Sequence, residues 1–179
     1  GVYQTWTSTQ NAGWVRYSLD EADVPYTLFS KDRARRGNLQ RDFDVILIPH
    51  MGSGTSLASI MGGIDPKWSP LPYENSNATP NLGHILSSDD ITGGMGFEGM
   101  AAFEEFIREG GTLVTLGSAG VIATDSGILR GVNKRGPGGM NTPGSSMTAK
   151  ITDRSSPLVY GYNEITHVFR GNGPVFSVP

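Results

Sequence analysis

The amino-acid sequence predicts an α/β domain built on a mostly parallel sheet. Three observations carry that expectation. Over the first fifty residues, short apolar runs alternate with helix-forming segments in a β-α-β-α-β rhythm at tight spacing. Phe43–Ile48 is an almost continuous apolar run closed by Pro49, the pattern of a buried strand. Finally, residues 99–120 read as a helix, a glycine pair, the β-branched run Thr112–Leu116 and the small turn Gly117-Ser118-Ala119-Gly120. Helix, strand and a tight turn with a hydroxyl in it are the setting in which α/β proteins often display a nucleophile.

Taken in order, Val2–Gln4 ends a first strand. Asn11 is the expected N-cap of a helix whose Trp14, Val15, Tyr17 and Leu19 offer a partly apolar face. That helix stops near Ala22 and Asp23, because Val24 precedes Pro25 and is driven to extended geometry. Tyr26–Phe29 is a second strand. A short helix starts at Lys31 or Asp32 and ends at Gly37-Asn38, and Phe43–Ile48 is the third strand. From His50 to Met95 no periodicity persists, beyond one helical turn over Ser56–Met61. A loop of that length in a compact domain is usually functional. Phe97–Glu109 then places Met100, Phe103, Phe106 and Ile107 on one helical face, and Gly110-Gly111 ends it. Past the turn, Val121–Thr124 reads as a short helix, with 127–132 its continuation or a loop. Ser145–Ile151, Thr166–Phe169 and Val175-Phe176 read as extra C-terminal edge strands. Residues 1–179 form a single domain with no internal repeat.

The chain of 179 residues holds 37% hydrophobic and 17% charged residues, with 25 Gly and 11 Pro filling the deficit. This is the composition of a folded domain with long, turn-rich loops. The net charge is −3, and no stripe of Lys and Arg interleaved with aromatics occurs, so nucleic acid is not an expected partner. With no cysteine, disulfides, thiol nucleophiles and thiolate metal sites are excluded. No apolar run approaches the ~20 residues of a membrane-spanning helix. The first residues, Gly1–Tyr3, are already strand-like, so the expectation is a piece of a longer polypeptide.

Ser118 is the first candidate catalytic residue. A serine nucleophile needs a base within hydrogen-bond reach and amide donors for an oxyanion. His50 follows the third strand, and parallel sheets build sites at the carboxyl ends of their strands. Glu98, at the start of the long helix, is the other candidate base. The bland alternative is that Ser118 is simply a small residue in a tight turn, which lacks the first glycine of a G-x-S-x-G elbow. Gly93 and Gly94, before the same helix, and Gly117 and Ala119, in the turn, are weaker candidates for binding an anion through backbone amides. A flexible glycine lead-in to the helix explains the first pair equally. His84 and His167 have no second ligand at metal spacing, and Asp89-Asp90 is a lone acidic pair, so no metal site is expected within the domain. Trp6, Trp14, Trp68, Tyr3, Tyr17 and Tyr73 are either core or an exposed partner surface.

Several segments then fall in a recognisable order: Gly1–Trp6, Gly13–Tyr17, Val24–Tyr26, Phe43–Pro49, Gly93–Gly99, Phe106–Val114, Pro143–Ser145 and Ser156–Gly161. In that order and spacing the chain resembles the class I glutamine amidotransferase-like domain found C-terminal to the catalytic domain of bacterial zinc-carboxypeptidase-related proteins. The resemblance implies a flavodoxin-like three-layer sandwich. It implies a zinc-peptidase domain upstream as partner, with zinc held only there, and an exported protein. Active amidotransferases carry a cysteine at the position of Ser118 and a His-x-Glu pair downstream. This chain has neither, since Val168 and Phe169 follow His167. The expectation is therefore a non-catalytic accessory domain that packs against, regulates or binds ligand for the peptidase. The rivals are a hydrolase or amidase using Ser118, and a structural spacer or oligomerisation module.

Overall fold

A computed structural model of the chain describes residues 1–83, 86–136, 139, 144–171 and 173–178. The chain forms a mixed α/β structure centred on four parallel strands. These are β1 (Val2–Tyr3), β2 (Leu28–Phe29), β3 (Val45–Ile48) and β4 (Thr112–Thr115), in the order β2-β1-β3-β4. Val2 pairs with Leu28 on one side and Leu47 on the other, and Val45–Ile48 run in register with Thr112–Thr115. The helices are α1 (Gln10–Glu21), α2 (Lys31–Arg35), α3 (Leu57–Gly62), α4 (Gly96–Arg108) and α5 (Val121–Asp125). This strand order is compatible with a flavodoxin-like arrangement. For this strand order the right-handed crossover rule puts α1 on one face of the sheet and α2 and α4 on the other, and α2 and α4 pack against each other.

The core lies on the α4 side. Met100, Phe103 and Phe106 are buried and Ile107 packs against them, as the helical spacing predicts. Phe103 meets Tyr3 edge-on at 5.4 Å, Tyr3 meets Phe29 at 5.4 Å, and Phe29 stacks on Phe43 at 4.7 Å. Offset and edge-on pairs of this kind add to the area they bury. Ile46 and Ile48 face this side and are fully sealed.

The other side of the sheet is thinly covered, and here the sequence expectation fails. The helix α1 begins at Gln10 behind an N-cap at Thr9 rather than Asn11, and it buries only Ala12. Trp14 and Tyr17 point outward, edge-to-face at 6.1 Å. Val45 is 47% exposed next to the sealed Ile46. Leu47 and its register partner Val114 are only partly buried. The third strand is thus buried on one face, and β4 is an edge strand rather than a buried one. Among the described residues nothing pairs with its outer edge.

The C-terminal strands do not extend the central sheet, which corrects the expectation of added edge strands. The strands β6 (Ser145–Lys150) and β7 (Ile165–Arg170) form one antiparallel ribbon, and β5 (Asn133–Arg135) pairs with β8 (Val175–Ser177) in another. Among the described residues no crossover helix follows α5, and 127–132 takes the loop alternative. Parallel pairing needs a crossover connection, and these strands instead pair antiparallel with one another.

The long segment after β3 is anchored to the core by Met51, Ile60 and Met95 and ordered between them by polar contacts. A reciprocal cap between Ser56 and Ser59 starts α3. Further on, the Asp90 carboxylate accepts from the Ser69 hydroxyl at 2.6 Å, the Leu71 amide at 3.1 Å, the Thr92 amide at 2.9 Å and the Thr92 hydroxyl at 3.0 Å. These bonds hold its carboxyl well below the usual range. So one member of the acidic pair organises the loop. His84 lies outside the described residues.

Candidate functional site

The turn after β4 brings Ser118 to His50. Gly117 takes a left-handed φ of +55°, and a β-carbon there would lie 2.5 Å from His50 Nδ1. Glycine is required on both counts. The Ser118 amide donates to His50 Nδ1 at 3.1 Å, and the Ser118 Oγ lies 3.2 Å from the same nitrogen. Because a backbone amide can only donate, Nδ1 is the acceptor and a neutral ring carries its proton on Nε2. The Ser118 Oγ in turn accepts from the Met51 amide at 3.1 Å. The Met51 carbonyl receives the Ser8 hydroxyl at 3.0 Å and the Thr55 hydroxyl at 2.6 Å. The loops leaving β1, β3 and β4 are thereby tied together through one residue, Met51.

This geometry meets half of what nucleophilic catalysis asks. A hydroxyl sits within hydrogen-bond distance of an imidazole, but Ser118 is 1% exposed. The β5–β8 ribbon lies over the turn. The Phe176 ring comes within 2.8 Å of where a Gly120 β-carbon would stand, and Gly173 lies beside Gly117. The single in-plane lone pair of Nδ1 is shared with the Ser118 amide, which weakens it as a base toward Oγ. Among the described residues no carboxylate hydrogen-bonds His50. Glu98 is exposed in the first turn of α4, next to Gly96 and Arg35, and bonds neither Ser118 nor His50. His167 sits on the exposed β6–β7 ribbon opposite Thr148.

The weaker glycine candidates have structural work. Gly63 and Gly94 permit a close backbone crossing, where a β-carbon on either would collide with the facing chain at Gly93 and at Ile60 and Met61. The Gly93 amide donates to the Ile64 carbonyl at 2.6 Å and the Met95 amide to Ile60 at 3.4 Å. Ala119 is buried and its amide donates to Leu116. These amides are directed into the chain. Gly94 nonetheless lines a narrow cleft with Gln4, Thr5, Trp6 and Lys31, which shares Thr7 and Gly63 as walls with a groove of about 360 Å³ along Met51, Thr55 and Ser59. The groove crosses the carboxyl ends of β1 and β3, where the strand order reverses and open α/β sheets receive ligands. Lys31 is buried there and paired with Asp32 at 3.0 Å.

No family model matches the chain, and no curated protein or solved structure matches it either. Among the described residues no three His, Asp or Glu side chains cluster as a metal site, and no helix is long and apolar enough to cross a membrane.

Sequence reasoning found the Ser118–His50 pair because both follow parallel strands. It missed the Met51 clamp, because no sequence pattern marks a backbone amide that will meet a distant hydroxyl.

Proposed function

We propose that the chain is a non-catalytic accessory domain on a flavodoxin-like, amidotransferase-related scaffold. In this reading it belongs to an exported zinc-carboxypeptidase-like polypeptide and packs against the peptidase domain. One observation carries the packing role: the α1 side of the sheet leaves Val45, Leu47, Val114 and Leu116 partly uncovered. Parallel sheets are normally covered on both faces, and an uncovered apolar face marks an interaction surface. The sealed Ser118, spent on holding His50 and Met51, supports the non-catalytic part. The family and the export come from the sequence resemblance alone.

In the full-length polypeptide, Val45→Glu and removal of residues 1–179 are both expected to change peptidase activity, thermal stability or substrate preference. If all three stay unchanged in both variants, the packing role fails and a spacer remains. Concentration-dependent self-association of the isolated chain, lost in Val45→Glu, would assign the face to a second copy instead.

The 3.2 Å contact between Ser118 Oγ and His50 Nδ1 favours a second reading, a serine hydrolase or amidase. A fluorophosphonate probe separates the two. The accessory reading expects no adduct at Ser118, even in Phe176→Ala, where the cover over the turn is reduced. An adduct in either protein that is absent from Ser118→Ala would establish the nucleophile.

A further inference from the structure

A cleft separate from the Ser118 turn opens between α1, the end of β1 and the long loop. Its volume is about 80 Å³, and its walls include Gln4, Arg16, Leu28, Tyr73, Asn81 and Leu86. Two of these side chains carry polar groups that no other described residue engages. Gln4 is 8% exposed, and its amide has no hydrogen-bond partner among the described residues. Arg16 is half-buried, its Nε is buried with no acceptor, and no carboxylate pairs with its guanidinium among the described residues.

Buried polar groups are nearly always satisfied, and the Arg16 Nε is a buried donor without an acceptor. An acceptor delivered from outside the chain satisfies it. The guanidinium offers a planar fork that suits a carboxylate in two-point fashion. Gln4 and Asn81 add amide donors, and the Tyr73 ring is held by the Trp6 indole at 5.0 Å. Leu28 and Leu86 line the rest, which suits a short alkyl chain. One cation matches one negative charge, which favours a monocarboxylate over phosphate.

We infer that this cleft binds the carboxylate of a small aliphatic acid, gripped by Arg16 and oriented by Gln4. The site does not depend on the accessory reading, since it involves neither the open sheet face nor Ser118.

The test is a titration of the ¹⁵N-labelled chain with propionate, followed at the Arg16 Nε–Hε and Gln4 side-chain amide signals. Both are expected to shift saturably, with a dissociation constant of about 1 mM, ordinary for a ligand of this size. Propionamide, the uncharged isostere, and inorganic phosphate are expected to leave them unsaturated. Arg16→Lys keeps the charge but loses the fork, and is expected to weaken propionate at least ~10-fold. Absence of saturation by ~100 mM propionate, equal binding of propionamide, tighter binding of phosphate, or unchanged affinity in Arg16→Lys each overturns the assignment. Should Arg16→Lys not fold, Gln4→Glu decides. It places a fixed carboxylate in the cleft, so propionate shifts must vanish, and their persistence refutes the site.

Discussion

The Ser118 amide and the Ser118 hydroxyl converge on one atom, His50 Nδ1, at 3.1 and 3.2 Å. The turn after the fourth strand is fastened to the loop after the third by a side chain that offers a single acceptor to two donors. The Met51 amide closes the loop by donating back to the same hydroxyl. A serine in this position is a structural rivet whether or not it is a nucleophile, and its variants should behave accordingly.

Ser118→Ala leaves the buried Met51 amide without its acceptor. A loss of about 1–3 kcal/mol is expected for one unsatisfied buried donor, measured by urea denaturation. A variant as stable as wild type would mean that water or a backbone shift replaces the hydroxyl, and the rivet would be dismissed.

Gly117→Ala combines a left-handed backbone with a clash against His50 Nδ1. The backbone alone costs about 1–2 kcal/mol, and the clash adds to it. In a His50→Ala background only the backbone part should remain. The two substitutions are therefore expected to be non-additive in a double-mutant cycle. Strict additivity would show that His50 does not define the turn.

The acid limb of stability should follow the depressed carboxylates. Hydrogen bonds from Arg41 and then Arg33 hold Asp42 down at about 2, and Ser69 and the Thr92 amide hold Asp90 lower than its ordinary value. In the unfolded chain these groups titrate near 3.9. Their contribution is complete above about pH 4 and is lost as pH falls toward 2, because the unfolded state then binds more protons. Asp90→Asn should be less stable at neutral pH and decline less steeply in acid. An acid limb identical to wild type would remove Asp90 as the organiser of the long loop.

Two substitutions on opposite sides of the sheet should differ sharply. Phe103 is fully buried and Val45 is 47% exposed. Phe103→Ala is expected to cost about 3–5 kcal/mol, as for other buried aromatics. Val45→Glu is expected to stay within about 0.5 kcal/mol in the isolated chain, as exposed substitutions do. A large loss in Val45→Glu would mean that the α1 side of the sheet is covered in solution, and the packing proposal would lose its surface.

What the sequence determined by itself is local and periodic. Alternating apolar runs and helical stripes fixed the order of β1 to β4 and the buried face of α4, because the burial of Met100, Phe103 and Phe106 depends only on helical geometry. The proximity of Ser118 and His50 was also legible, since parallel strands deliver their following loops to one edge. Tertiary structure decided everything that depends on what covers a surface. An apolar strand has the same sequence whether one face or both are buried, so the exposure of Val45 and the edge position of β4 were invisible. The sealing of Ser118 required β8, over fifty residues downstream, to lie over the turn, and no local signal encodes that. Arg16 acquires meaning only because the fold buries its Nε without an acceptor among the described residues, which is decided in three dimensions and nowhere in the order of residues.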